Sequence, residues 1–137
     1  MKKHILKKKL PAFTLQELLI VLVIVGILVL LALPNLMPKI SEAKAQEAKL
    51  QLKHLHTLQK SYFFMYSKYS SSFEDIGFEH SKLTTDNGTA NYQIEIVEAS
   101  NTGFKAKATA ITDFDADGQF NTWEVDQDMN LKETQKD

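Results

Sequence analysis

Between residues 113 and 124 the chain reads Asp113-Phe-Asp115-Ala-Asp117-Gly118-Gln119-Phe-Asn121-Thr-Trp-Glu124. This run meets every required position of the calcium-loop pattern D-x-[DN]-x-[DN]-G-x5-E. Asp113, Asp115 and Asp117 would offer carboxylate oxygens, Gly118 the sharp turn and Gln119 its backbone carbonyl. Asn121 would make a direct or water-bridged contact, and Glu124 would give two oxygens at once. A hard cation is the ligand that best offsets so many acids packed this closely. The flanks read as strands, so the loop would stand alone between strands instead of forming a paired helix-loop-helix sensor. The competing account is an acidic turn whose Asp side chains cap their own backbone.

A second acid stands out by its surroundings. Glu17 sits within the stretch Phe13 to Pro34, FTLQELLIVLVIVGILVLLALP, and from Leu18 to Leu33 no side chain is polar. As a helix this stretch rises about 30 Å, the thickness of a bilayer's hydrocarbon core. A carboxylate at its boundary costs on the order of 2 to 3 kcal/mol unless it finds a partner. One account leaves Glu17 snorkelling to the interface near the helix start, where the dipole favours an acid. The other gives it a cationic partner from elsewhere.

Residues 1–12, MKKHILKKKLPA, hold five lysines and no acid. By the positive-inside rule this head stays in the cytoplasm and the remainder is exported. A secretory signal peptide fits poorly, because the apolar run is too long and ends in Leu31-Ala32-Leu33-Pro34 without an A-x-A site.

These residues together resemble the N-terminal signature of type IV prepilins and of the pseudopilins of type II secretion. That signature is a basic leader, a small residue, Phe, Thr, Leu, any residue, Glu, an apolar helix, then Pro. Counted from Phe13, Glu17 is fifth, Gly26 fourteenth and Pro34 twenty-second, the family's own spacing. The residue before the cut is usually Gly, and here it is Ala12. The resemblance implies that a prepilin peptidase cuts between Ala12 and Phe13 and methylates the new amine. It further implies that Glu17 of one subunit pairs with the cationic Phe13 amine of its neighbour, one compensated pair in place of two costly charges.

Composition bounds the rest. At 137 residues the chain can hold one small domain beside a membrane helix. Removing the five leader lysines leaves 11 basic against 17 acidic side chains, a net charge of −6, which disfavours nucleic acid as a partner. Cysteine is absent, so neither disulfide nor thiol chemistry is available. The histidines form no i, i+4 metal pair: His54 and His56 are two apart on a helix, His80 stands alone and His4 lies in the leader. No nucleophile elbow, phosphate loop or HExxH occurs, and the sequence predicts no catalysis.

Ala45, Ala48, Leu52, Leu55, Leu58, Tyr62, Met65 and Tyr69 step by three or four, one apolar stripe opposite Lys44, Lys49, Lys53 and Lys60. Gly26, Pro34 and Pro38 are weak points where the helix should kink or locally melt. Seven aromatics from Tyr62 to Phe78 read as core filling between helix and sheet. Asn91 to Glu98 and Thr102 to Ile111 alternate as strands around a Ser100–Gly103 turn, and Trp123 with Val125 and Leu131 to Thr134 predict two more.

The sequence therefore predicts an α+β protein: a long kinked N-terminal helix, half membrane and half amphipathic, packed on a small C-terminal antiparallel sheet, as in pilins. Its segments are a cleaved leader 1–12, a transmembrane or filament-core helix 13–34, an amphipathic helix 35–70 and a β headgroup 71–137. The resemblance implies an inner-membrane, single-pass filament subunit with a periplasmic C-terminal domain. Its partners would be its own copies, other pilins or pseudopilins, prepilin peptidase and an inner-membrane assembly platform. A type II secretion pseudopilin is slightly favoured by the short mature length and the calcium-like loop. An extracellular pilin, or a tethered calcium module that never polymerises, is the alternative.

Overall fold

The computed structural model describes residues 11–136, with the Asn35 side chain aside. The elements run α1 (Leu15–Tyr66), α2 (Phe73–Ile76), a 3-10 turn (Thr84–Asp86), then β1 (Tyr92–Ala99), β2 (Phe104–Ala110), β3 (Thr122–Asp126) and β4 (Leu131–Gln135). The chain divides into two compact units between Leu36 and Met37. Of the predicted leader 1–12, residues 1–10 with all five lysines lie outside the described residues.

In the first unit Leu15–Pro34 is helical, with a mean hydropathy of 3.0 and none of it buried. It is long and apolar enough to cross a membrane. Helix α1 runs through Gly26, Pro34 and Pro38 without interruption, so the backbone is not melted at any of them.

In the second unit, residues 37–66 of α1 lie on one face of a four-stranded antiparallel sheet of order β1-β2-β3-β4. Alternation in β2 makes that packing close. Phe104, Ala106, Ala108 and Ala110 are buried, and they join Ala48, Leu52 and Leu55 of α1 in one core. Alanines on both sides let helix and sheet backbones approach, and the bulkier Tyr92, Ile94 and Val125 fill the flanks. The opposite face is a lattice of charge. Lys107 stands in register with Glu95 on one side and Glu124 on the other, and Glu124 with Lys132.

The helix stripe differs from the predicted one in two ways. His56 and Gln59 are buried within it, and Met65 is exposed. Gln59 explains its own burial: its amide donates to the Ser70 carbonyl at 2.6 Å and accepts from the Ser70 N–H at 3.0 Å, tying the chain leaving α1 back onto it. The lysines also depart from a purely solvent-facing row. Lys44 Nζ lies 4.3 Å from the Phe114 ring centre and Lys49 Nζ 4.4 Å from that of Trp123, so their stems line the helix–sheet seam. Of the seven aromatics, Tyr69 and Phe78 are buried, Tyr62, Phe63 and Phe73 pack against the core, and Phe64 and Tyr66 stay exposed.

Candidate functional site

Residues 11–14 precede the helix and are exposed, so the Ala12–Phe13 peptide bond is accessible and Phe13 projects at 83% exposure. Thr14 and Glu17 then close a reciprocal pair. The Thr14 N–H donates to Glu17 Oε2 at 2.8 Å, and the Glu17 N–H donates to Thr14 Oγ1 at 3.2 Å. This is a capping box: two amide donors that no helical carbonyl reaches are satisfied by side chains three residues apart. The T-x-x-E spacing was the sequence signal for it, hidden by the apolar run behind it. Glu17 is therefore the anchor of α1 in the single chain, one residue past an exposed Phe13-Thr14-Leu15-Gln16 start. Gly26 lies further along α1, where an added Cβ would meet nothing within 4 Å in this chain.

The acidic loop joins β2 to β3. Asp113, Asp115 and Asp117 each bring a carboxylate oxygen within 4.8 Å of the other two. The oxygens are also turned to the loop's own backbone. Asp113 accepts from Ala116 at 2.6 Å, Asp117 at 3.2 Å and Gly118 at 2.6 Å; Asp115 accepts from Asp117 at 3.1 Å and Asp117 from Gln119 at 2.8 Å. Partial desolvation pushes the Asp113 carboxyl up, but the N–H donors of Gly118, Ala116 and Asp117 outweigh it and hold it below the usual carboxylate value. Gly118 has φ +88°, the left-handed turn that its place in the pattern requires.

Two of the other predicted ligands, Asn121 and Glu124, have their side chains elsewhere. The Asn121 side chain is buried at the foot of the sheet: its oxygen accepts from Tyr92 Oη at 2.7 Å and Trp123 Nε1 at 2.8 Å, and its nitrogen donates to Glu133 at 2.7 Å and to the Gln135 carbonyl at 3.2 Å. Glu124 does not join the Asp113–Asp115–Asp117 group; its register places it between Lys107 and Lys132 on the solvent face. For Gln119 the expected donor is the backbone carbonyl, and its side chain bonds Asp117 and Gln135. Each carboxylate oxygen carries more than one lone pair, so the backbone bonds leave coordinating capacity on Asp113, Asp115 and Asp117.

No protein-family model matches the chain. Over 66 residues it is 47% identical to the type IV major pilin protein PilA of Myxococcus xanthus (strain DK1622), a match of 48% of this chain and 30% of that protein. The chain thus spans under a third of that relative's length. The chain is thus similar to that pilin over 66 residues, and its N-terminal apolar helix and helix-on-sheet fold are those the sequence resemblance implies.

Proposed function

We propose that this chain is a structural subunit of a type IV-like filament, and that its mechanism is polymerisation. The observation that carries this reading is the apolar helix Leu15–Pro34, of which nothing is buried by the chain itself. Such a surface needs lipid before assembly and other copies of the same helix after it. Cleavage after Ala12 by a prepilin peptidase frees the Phe13 amine, and Glu17 of a neighbouring copy pairs with it and sets the register. Gly26, Pro34 and Pro38 lower the cost of bending, so that neighbouring helices can bundle in the fibre core.

The name of the relative favours the extended, pilus version of this filament over a short secretion pseudopilus. The acidic loop favours the pseudopilus version, to which the sequence resemblance attaches calcium. In that reading Asp113, Asp115 and Asp117 hold the ion and clamp the β2–β3 connection, in a chain that has no disulfide to do so.

The test is the intact mass and N-terminal sequence of the protein recovered from host membranes. A chain starting at Phe13 with one added methyl group supports processing and assembly. A chain that keeps the leader removes the amine Glu17 needs, and the filament reading with it.

A further inference from the structure

The sheet has two outer strands, β1 and β4. The Ile111 N–H donates to the Asn91 carbonyl, which sets the phase of the β1–β2 ladder: the amides of Gln93 and Glu95 turn towards β2, and those of Tyr92, Ile94 and Ile96 turn away from it. An outward row of this kind is a template on which another extended chain can pair. At Ile94 the row is closed, and a side chain closes it. The Ile94 N–H donates to His80 Nε2 at 2.9 Å, so an imidazole nitrogen stands where the carbonyl of a further strand would stand.

The segment that carries His80 is anchored at both ends. Phe78 is buried in the core and meets the His80 ring edge-on, 6.3 Å between centres. Beyond His80, the Lys82 carbonyl accepts from the Thr89 and Ala90 N–H groups at 3.0 Å each, and Leu83 bridges to Ala90. Between these anchors Glu79, Ser81 and Lys82 are exposed, and the His80 ring ties them to β1.

The two bonds of the ring fix its protonation. A backbone N–H can only donate, so Nε2 keeps its lone pair for Ile94. A backbone carbonyl can only accept, and that of Ser81 lies 2.5 Å from Nδ1, so Nδ1 holds the proton. A second proton would go to Nε2 and set one N–H against another. Among the described residues no acid pairs with the ring to hold it in place once charged. Glu95, next to Ile94 on β1, lies 4.0 Å from Lys107, and Glu74 and Asp75 of α2 accept from the hydroxyls of Ser72 and Ser70. Glu79 and Lys82 flank His80 on its own segment with opposite signs, and α1 brings His54 against the same Phe78 ring at 5.9 Å.

We propose that His80 is a proton-operated cap on the β1 edge: the neutral ring closes Ile94, and the protonated ring releases it together with residues 79–82. At neutral pH the second unit presents a closed edge, and in acid an edge whose amide can pair with an extended chain. The device stands apart from the filament reading, since it uses neither the apolar helix nor the acidic loop.

The test is hydrogen exchange of single amides in the full chain in detergent micelles, each rate divided by that of the unfolded chain at the same pH. Between pH 8 and 5, about the range in which an imidazole gains its proton, protection of Ile94 should fall on the order of tenfold while that of Gln93 and Glu95 holds. In His80→Gln, whose side-chain carbonyl can take the Ile94 N–H and does not titrate there, protection of Ile94 should stay level. A level response in the wild type overturns the cap. A fall in His80→Gln as large as in the wild type would assign the response to another group, His54 first, and would equally overturn it. Ring-nitrogen NMR shifts of the wild type at pH 8 give a check that needs no variant: the proton must sit on Nδ1, and a proton on Nε2 would contradict the bond to Ile94.

Discussion

The Thr14 amide donates to the Glu17 carboxylate at 2.8 Å while the Glu17 amide donates to the Thr14 hydroxyl at 3.2 Å. The carboxylate is thus already compensated in the single chain, which lowers the cost of carrying it at the edge of an apolar helix. Thr14→Ala removes one half of the pair and should weaken the helix start by about 1 kcal/mol. Hydrogen exchange of the amides of residues 15–18 in detergent micelles should quicken by about fivefold, the same energy read as a rate. Unchanged exchange would mean that the cap contributes nothing.

Asn121 ties three strands together by taking both hydrogens that Tyr92 and Trp123 present and giving its own to Glu133 and Gln135. Asn121→Leu leaves those donors buried without that acceptor. Unfolding in urea should show a loss of about 2–4 kcal/mol. A loss below about 0.5 kcal/mol would show that the network is dispensable.

Asp113 and Asp126 are both held below the usual carboxylate value. For each, partial desolvation works the other way and is outweighed by hydrogen bonds: from Gly118 and its neighbours to Asp113, and from the Asn130 side chain and backbone to Asp126. A carboxyl depressed in the folded state stabilises the fold above its usual value of 3.8 and loses that contribution as pH falls through the lower folded value. The melting temperature should therefore drop as pH falls from about 5 towards 2, and drop less in Asp113→Ala and Asp126→Ala. Parallel curves for wild type and variants would contradict this assignment.

Calcium binding to the acidic loop should raise the melting temperature of the wild-type chain over that in chelator, and Asp115→Asn should abolish the increase. Glu124→Gln and Asn121→Leu should keep it, because those side chains lie with Lys107 and Lys132 and with Tyr92 and Trp123. An increase lost in Glu124→Gln would return Glu124 to the ligand set. No increase in the wild type would leave the loop as a self-capped turn.

The strands were legible because alternation such as Phe104, Ala106, Ala108 and Ala110 has a period that only one buried face satisfies. The apolar helix was legible from length alone. Gln59 and His56 were not, since their burial depends on acceptors and donors that arrive from residues 70 and 127, and a periodicity along α1 holds no record of those. Asn121 was misplaced for a related reason. A ligand pattern registers the residue type and its spacing, whereas here the backbone turns Asn121 inward to Tyr92 and Trp123 at the step from loop to strand. The capping role of Thr14 was written in the spacing of four residues and masked by the hydrophobic run that follows.

In the proposed filament the charge of Glu17, and not its capping bond, drives assembly. Glutamine serves as well as glutamate in a capping box, so Glu17→Gln removes the charge and keeps the helix start. Filament yield from cells making Glu17→Gln, scored by electron microscopy against equal membrane levels of the protein, separates the two. The account predicts loss of filaments in Glu17→Gln and their retention in Thr14→Ala. Normal filaments in Glu17→Gln would contradict it.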